Sequence, residues 1–256
     1  MKHILARANL EVLRQFAWSK VLLALDYDGT LAPIVADPDQ AVMRAATRRL
    51  LEQLARVYPC VVISGRAQAD ACRRLRGVGV FEVIGNHGVE PWQVSDRFLR
   101  QVQRWRPILE RRLARLQGVK IEDKSFSIAV HYRQSREKKK VRAAIREAAG
   151  SLGEVRSIPG KQVVNILPGG APHKGIALEK ARARLGCDTA VYVGDDETDE
   201  DVFALDQPGQ LLTIRVGRKR GSLAAYYIRS QAEIDELLRN VLDMRQKRGT
   251  RRRAGW

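Results

Sequence analysis

Short apolar runs alternate with segments of helical periodicity along most of this chain, and no other feature limits its fold as strongly. Five runs, each bounded by Gly, Asp, Asn or Ser, have the length and aliphatic content of buried strands. They cover residues 21–25, 60–63, 81–84, 190–193 and 211–216. Between them, apolar residues recur at helix spacing over 42–57, 176–185 and 234–242. Uniformly apolar strands that alternate with helices predict a parallel sheet with both faces covered.

The middle of the chain, residues 92–168, has a different pattern. Apolar side chains predict a long helix over 98–116 and a shorter one over 141–148. Two segments, 126–131 and 162–167, are predicted to be strands, and in the first of them apolar side chains alternate with small or polar ones. Two helix–strand units of this kind predict a small α+β domain inserted into the parallel core.

These two patterns predict the domain boundaries. Residues 1–91 and 169–244 form an α/β core with a Rossmann-like parallel sheet, and residues 92–168 form an inserted α+β cap. Residues 245–256 lack apolar periodicity and carry six basic and no acidic side chains. We therefore predict a basic, disordered tail over this last segment.

The formal net charge of +17 is distributed unevenly, with +11 in residues 92–168, +6 in residues 245–256 and none in the rest. A basic protein can bind nucleic acid, but two separate basic segments and an aromatic content of 6% do not match a nucleic-acid-binding module. No apolar run approaches the roughly 18 residues of a membrane span. We expect neither nucleic acid nor a membrane as a partner, and a monomer is the favoured state.

The cysteines indicate a compartment. Cys60, Cys72 and Cys187 are scattered, odd in number and in no metal-ligand spacing, which is typical of a reducing environment. The first 25 residues contain one short apolar run and no small-residue cleavage site, so a signal peptide is not expected. The predicted location is the cytoplasm.

Two of the predicted strands end in paired carboxylates. Asp26 and Asp28 follow the first apolar run in the turn DYDGT. Asp195 and Asp196 follow the fourth run in the segment GDDETDE. The simpler explanation is a capped turn for the first pair and a helix N-terminus for the second. A helix N-terminus accounts for the acids at 199–201 but not for Asp195 and Asp196. Adjacent carboxylates at one edge of a sheet repel each other unless a cation lies between them, and oxygen ligands suit Mg²⁺.

Two further segments suit a phosphoryl group. Ser64 and Gly65 follow the second apolar run, where a hydroxyl group and backbone N–H groups at a helix start can hold an anion. Lys174 precedes the predicted helix over 176–185 and supplies a compact positive charge. Tight turns and solvated lysines are common, so the prediction depends on the order of these segments and on their positions relative to the strands.

In this order, the motifs DYDGT, SGR, KG and GDDETDE resemble those of the haloacid dehalogenase superfamily of phosphotransferases. The insertion lies between the second and third motifs, as in the sugar-phosphatase branch of that superfamily. More narrowly, the segments DYDGTLAPI, VISGR, NHGVE, IEDKSFSIAVHYR, KGIAL and VGDDETDED look like those of the trehalose-6-phosphate phosphatases. The resemblance extends over residues 20–240.

The resemblance implies a role for each core motif. Asp26 would be the nucleophile that forms an aspartyl-phosphate. Asp28 would protonate the leaving sugar oxygen and then activate the water that hydrolyses the intermediate. Ser64, Gly65 and Lys174 would bind the phosphoryl oxygens.

The resemblance also implies a magnesium site. Mg²⁺ would be held by Asp26, by the backbone carbonyl of Asp28 and by Asp195, and it would neutralise charge on the phosphoryl group. Asp196 and Asp199 would support the waters of the metal or position the phosphate-binding lysine.

The sugar would be recognised by polar residues near and within the cap. Those predicted are Asn86, His87, Glu122, Lys124, His131, Arg133, Lys161 and Asn165. For His131 the alternative is a hydrogen-bonded histidine of the sheet, and for the charged residues of the cap it is a solvated surface. The chain departs from the family at Asn165, where a glutamate is usual, and at Asn86, where an acidic residue is common. An amide holds a sugar hydroxyl less strongly than a carboxylate does.

The predicted function is a Mg²⁺-dependent phosphatase that hydrolyses trehalose 6-phosphate to trehalose and phosphate, a step of trehalose biosynthesis. The two asparagines leave open a phosphatase of the same kind for another small sugar phosphate: a glycosyl-phosphoglycerate, a sucrose phosphate or a hexose phosphate. A nucleic-acid-binding protein that uses the basic segments is the alternative from another class.

Overall fold

The computed structural model describes residues 1–35, 37–92, 96–160 and 162–253. Its internal contacts divide the chain into two compact units. The first unit is formed by Met1–Gly88 and His173–Trp256, and the second by Val89–Pro172. The predicted cap at 92–168 lies within the second unit, which extends beyond it at both ends.

The first unit contains a seven-stranded sheet. Its strands are β1 (Lys2–His3), β2 (Val21–Leu25), β3 (Cys60–Ile63), β4 (Glu82–Ile84), β9 (Thr189–Gly194), β10 (Leu211–Val216) and β11 (Tyr226–Ile228). Every neighbouring pair is parallel, in the order β1-β11-β10-β9-β2-β3-β4. The strands β9, β2 and β3 are therefore adjacent in the middle of the sheet.

Helices alternate with these strands along the chain. They are α1 (Leu10–Trp18), α2 (Ala45–Ala55), α3 (Gln68–Arg74), α6 (Lys174–Arg184), α7 (Glu200–Phe203) and α8 (Ile234–Arg253). Every residue of β2, β3 and β10 is buried. Because successive side chains of a strand point to opposite faces, this burial means that both faces of the sheet are covered, as predicted. Leu13, Leu51 and Leu238, from three of the helices, belong to the same core cluster as the strand residues.

The second unit contains an antiparallel sheet and two helices. The strands are β5 (Lys120–Asp123), β6 (Ile128–His131), β7 (Val155–Gly160) and β8 (Val163–Pro168), and the helices are α4 (Asp96–Leu113) and α5 (Lys138–Gly150). The strand order is β5-β6-β8-β7, with antiparallel pairing throughout. Trp105 and Ile145 of the helices pack with Val130 and Ile166 of the strands in a separate core. The predicted α+β character of this segment is therefore observed.

Several predicted elements need correction. Helix α2 is shorter than the predicted segment 42–57, and Val42 and Val57 are exposed because they lie beyond its ends. Phe81 precedes β4 and is 61% exposed rather than part of a buried strand. Helix α8 continues to Arg253, so the segment predicted as a disordered tail is helical over 245–253. None of the helices in the described part of the chain combines the length and the apolar content needed to cross a membrane.

Candidate active site

Three neighbouring strand ends bring the first set of predicted residues together. Asp26 follows β2, Ser64 follows β3 and Asp195 follows β9. Since these strands are adjacent and parallel, their carboxyl ends lie at the same edge of the sheet. All three side chains are buried there.

A buried lysine joins this edge to the start of α6. Lys174 Nζ donates hydrogen bonds to Asp26 Oδ1 at 2.7 Å and to Asp199 Oδ1 at 2.8 Å. The lysine and both carboxylates are almost completely removed from solvent. The structure therefore places Lys174 next to Asp26, and places Asp199 as the second partner of the lysine.

The burial of this cluster changes its ionisation. Burial raises the pKa of Asp26 well above its usual range, and the charges of Asp199 and Asp195 raise it further against the opposing effect of Lys174. Burial alone would lower the pKa of Lys174, but the two carboxylates outweigh it and raise the pKa. The lysine therefore stays charged at neutral pH, while the carboxylates repel one another.

The carboxylates form a cluster with the chemistry of a cation site. Oxygen atoms of Asp26, Asp195 and Asp199 lie within 4.8 Å of one another, and all three residues are buried. If all are ionised, one lysine leaves an excess of negative charge that a divalent cation would neutralise. Oxygen-only donors of this kind suit a hard ion. The residues present thus fit the metal ion that the sequence predicts.

Asp199 is the least available of the three for direct coordination. Its Oδ1 accepts hydrogen bonds from Lys174 Nζ and from the Tyr192 hydroxyl at 2.6 Å. Its Oδ2 accepts from the backbone N–H groups of Asp195 and Asp196, both at 2.8 Å. Four donors occupy the four acceptor positions of a carboxylate. This arrangement supports the predicted role of Asp199 as a residue that positions the lysine.

The turn after β2 approaches Asp195 closely. Gly29 has φ +90°, and a Cβ atom built on it would lie 2.2 Å from Asp195 Oδ2. Only glycine combines this backbone conformation with such a close approach. The turn that contains Asp28 is therefore held against the carboxylate that follows β9, as a shared ligand site would require.

The side chain of Asp28 points to a different partner. Arg66 donates two parallel hydrogen bonds to it, from Nε to Oδ2 at 2.7 Å and from Nη2 to Oδ1 at 2.6 Å. The Asp28 side chain remains 36% exposed. It is thus separate from the lysine-centred cluster and accessible to a proton donor or acceptor.

The segment after β3 brings Ser64 and Gly65 next to two predicted sugar-binding residues. The Ser64 hydroxyl oxygen accepts from the Arg66 N–H at 3.1 Å, so its own proton can still be donated to an anion. A Cβ atom on Gly65 would lie 2.5 Å from His87 Cε1. Asn86 and His87 are buried and have φ values of 46° and 59°, which is unusual for residues other than glycine.

Besides Arg66, two residues that contact the predicted site were missed in the sequence. Tyr192 hydrogen-bonds Asp199 from within β9. Arg215, in β10, donates to Glu200 Oε1 at 2.8 Å and to the backbone carbonyls of Asp195 and Asp196. The signal for Arg215 was present, because a charged residue inside an otherwise apolar buried strand needs a specific partner. Tyr192 gave no such signal, since tyrosine is common in strands.

Three predicted residues of the second unit share one face of its sheet. Glu122 and Asn165 both lie opposite Ala129, and His131 lies two residues further along β6. His131 Nε2 is 2.8 Å from Glu122 Oε2, and this hydrogen bond lowers the pKa of Glu122 although burial opposes it. The other face of the sheet, which carries Val130, packs against α4 and α5.

The remaining predicted residues of this unit lie just outside the strands. Lys124 follows β5 and its backbone N–H bonds the carbonyl of Ser127 at 2.9 Å. Arg133 follows β6 and is half-buried. Lys161 lies outside the described residues. Whether any of these side chains contacts a sugar stays a prediction.

Known proteins resemble this chain in sequence. The family model for trehalose-phosphatase matches residues 24–225. A probable trehalose-phosphate phosphatase of Oryza sativa subsp. japonica is 31% identical, over 93% of this chain and 70% of its own length. Trehalose 6-phosphate phosphatase RA3 of Zea mays is 29% identical, over 98% of this chain and 77% of its own length.

Solved structures resemble it in fold. The C-terminal domain of trehalose-6-phosphate phosphatase from C. albicans has a TM-score of 0.78 and 21% identity, and covers 95% of this chain and 98% of that domain. A trehalose-6-phosphate phosphatase related protein has a TM-score of 0.72 and 26% identity, and covers 89% of this chain and 99% of that one. The fold is that of the haloacid dehalogenase phosphatases with a cap domain. The chain belongs to the trehalose-phosphatase family of phosphoric monoester hydrolases.

Proposed function

We propose that this protein is a Mg²⁺-dependent phosphatase that hydrolyses trehalose 6-phosphate to trehalose and phosphate. The observation that supports the proposal best is the buried cluster of Lys174 between Asp26 and Asp199, with Asp195 beside it. Positioning and charge neutralisation provide most of the catalysis of phosphoryl transfer. The reaction therefore needs a nucleophilic carboxylate, a fixed positively charged side chain and a pair of carboxylates that bind a metal ion.

Asp26 Oδ is the nucleophile in this mechanism. It attacks phosphorus, the bond from phosphorus to the sugar oxygen breaks, and an aspartyl-phosphate forms. Lys174 and the Ser64 hydroxyl donate hydrogen bonds to the phosphoryl oxygens, aided by the backbone N–H of Gly65. Asp28 donates a proton to the departing sugar oxygen and then removes one from the water that hydrolyses the intermediate.

The metal site consists of Asp26, Asp195 and, by the resemblance, the backbone carbonyl of Asp28. A bound Mg²⁺ would neutralise charge on the transferring phosphoryl group. Asp199 positions Lys174 through their hydrogen bond at 2.8 Å. Asp196 supports Asp199 through its backbone N–H.

Sugar recognition is proposed for the polar sheet face of the second unit, with Glu122, His131 and Asn165 as its central residues. Lys124, Arg133 and Lys161 would add positive charge for an anionic substrate. Asn86 and His87 would contribute from the first unit. We also propose a cytoplasmic enzyme, since the three cysteines are free. A monomeric state stays a prediction.

Release of inorganic phosphate tests this proposal. The protein is assayed with Mg²⁺ and with EDTA on trehalose 6-phosphate, sucrose 6-phosphate, glucose 6-phosphate and glucosyl-phosphoglycerate. We expect metal-dependent release with a clear preference for trehalose 6-phosphate. Preference for another ester would retain the phosphatase chemistry and overturn the trehalose specificity. No release from any ester by folded protein would overturn the proposed function.

A further inference from the structure

The fork between Arg66 and Asp28 is the starting point of an inference that rests on the proposed function. Both carboxylate oxygens of Asp28 accept from one guanidinium group, at 2.6 and 2.7 Å. A fork of this kind fixes the plane of the carboxylate as well as its distance, which a lysine cannot do. Each oxygen keeps a second lone pair, so the fork leaves room for a water that donates to Asp28.

Arg66 is itself held at both ends. Its backbone N–H bonds the hydroxyl oxygen of Ser64 at 3.1 Å, and its carbonyl accepts from the N–H of Asn86 at 2.7 Å. The guanidinium carbon lies 5.6 Å from the ring centroid of Tyr27, and the Arg66 side chain is only 10% exposed. An arginine anchored in this way loses little further freedom when it fixes a neighbour.

Asp70, in α3, completes the anchor. It accepts from Arg66 Nη1 at 2.8 Å, from Arg74 Nε at 3.0 Å and from Arg73 Nη2 at 2.9 Å. Although burial would raise it, these hydrogen bonds lower the pKa of Asp70 to about 2. Asp70 therefore stays ionised throughout the physiological range and holds Arg66 through Nη1, the nitrogen that does not bond Asp28.

We propose that Arg66, anchored by Asp70, is a positioning residue that fixes the Asp28 carboxylate for the step in which it removes a proton from the hydrolytic water. Arg66 neither gains nor loses a proton in this step; the proton moves only from the water to Asp28. Proton transfer needs heavy atoms within about 3 Å in a fixed orientation, and Asp28, being partly exposed, has space to rotate without the fork. The attack by Asp26, whose partner is Lys174, does not depend on Arg66.

The competing explanation is a purely structural role, in which Arg66 only ties α3 to the turn after β2. The two explanations differ in which step slows when Arg66 is replaced. A 4-nitrophenyl phosphate has a leaving group that needs little protonation, so phosphorylation of Asp26 by this ester does not require Asp28. Hydrolysis of the aspartyl-phosphate still requires Asp28 to activate water.

The test is rapid-quench kinetics on Arg66→Ala, Arg66→Lys and Arg73→Ala. We expect Arg66→Ala to release the first equivalent of 4-nitrophenol as fast as the wild type and then to turn over about 10- to 100-fold more slowly. The turnover rate of Arg66→Lys should lie between those of the wild type and Arg66→Ala, because lysine keeps the charge but cannot form the fork. Arg73→Ala, which also loses a bond to Asp70 but does not contact Asp28, should remain within about 2-fold of the wild type.

A double-mutant cycle with Asp28→Asn provides the sharper readout. If Arg66 acts through Asp28, Arg66→Ala should have almost no further effect on turnover in the Asp28→Asn background. Additive effects, or equal slowing of both phases with 4-nitrophenyl phosphate, would overturn the inference. Should Arg66→Ala fail to fold, Asp70→Asn should show the same pattern with a smaller amplitude, and an unchanged Asp70→Asn variant would count against the anchor. Wild-type protein that releases phosphate from no ester would refute the proposed function, a result visible before any variant is compared.

Discussion

The two sheets of this protein present polar side chains in different ways. In the parallel sheet, strands such as β2 and β3 are buried along their whole length, and the carboxylates predicted to be catalytic follow the ends of strands. In the antiparallel sheet, one face packs on helices, and the other carries Glu122, His131 and Asn165 along the strands themselves. The first arrangement concentrates charge at one edge, and the second places polar groups along a sheet face that also carries the buried apolar residues Ile158 and Leu167.

Under the proposed function, this difference would suit two tasks. A transferring phosphoryl group needs opposed charges within about 3 Å of one another in a site that excludes water, which the buried edge around Asp26 and Lys174 provides. A sugar needs several separate hydrogen-bonding partners over a wider area, which a polar sheet face can provide. Substitutions at the buried edge around Asp26 and Lys174 should therefore affect every substrate, whereas those on the polar sheet face of the second unit should discriminate among substrates.

Asp26→Asn should have the largest effect. An amide cannot act as the nucleophile, so kcat/KM should fall on the order of 10⁴-fold or more for sugar and aryl esters alike. Steady-state kinetics measures this, with circular dichroism to verify the fold. Asp188→Asn is the matched control, because Asp188 is exposed and precedes β9 at the end of the strand opposite Asp195. Activity within 10-fold of the wild type would remove Asp26 from the role of nucleophile.

Ile145→Ala should lower the stability of the second unit and leave that of the first unit unchanged. Ile145 is fully buried in the core of the second unit, and truncating such a residue costs about 2–5 kcal/mol. Hydrogen exchange should accelerate in peptides that cover β6 and β8, while those that cover β2 and β9 keep their protection. Leu51→Ala, in the first unit, is the reciprocal control. Equal acceleration in both sheets would mean that the molecule opens as one unit.

The core motifs could be predicted from sequence because, in a parallel sheet, the end of each strand along the chain lies at a known edge of the sheet. A residue that directly follows an apolar run of a parallel sheet must lie at its carboxyl edge, and this places Asp26, Ser64 and Asp195 together without any knowledge of packing. The partner of Asp28 could not be predicted in this way. Arg66 is 38 residues away in sequence, and only the fold shows that its side chain turns toward the carboxylate.

The second unit was harder to predict because the periodicity of apolar residues does not determine which residues of neighbouring strands pair. Strands β5 and β7 were missed because neither has a regular apolar alternation. β5 is mostly exposed and rich in charged residues, and β7 is half-buried and contains arginine, proline and glycine. Without β5, nothing in the sequence could pair Glu122 with His131. The same limitation applied to β1 and β11, which are two and three residues long.

His131→Ala should discriminate between substrates. Loss of one hydrogen bond from the polar sheet face should raise KM for the sugar phosphate about 10-fold and leave that for 4-nitrophenyl phosphate nearly unchanged. Lys139→Ala is the control, because Lys139 is an exposed residue of α5 on the helical side of the unit. Equal changes in KM for both esters would make His131 a structural residue of the sheet, paired with Glu122 and not with the substrate.

Thiol labelling should give the smallest effect. It reports on the first unit alone, because all three cysteines belong to that unit. Cys72 is exposed and should react at once with a disulfide reagent, whereas burial raises the pKa of Cys60 to about 12. At pH 8 this leaves about 10³-fold less thiolate at Cys60 than at an ordinary cysteine, in addition to its steric protection. If the second unit opens alone, Ile145→Ala should leave the labelling rate of Cys60 unchanged while Leu51→Ala increases it. Faster labelling of Cys60 in both variants would show that the stability of the parallel sheet depends on that of the second unit. The two units would then differ in their proposed tasks but would not unfold independently.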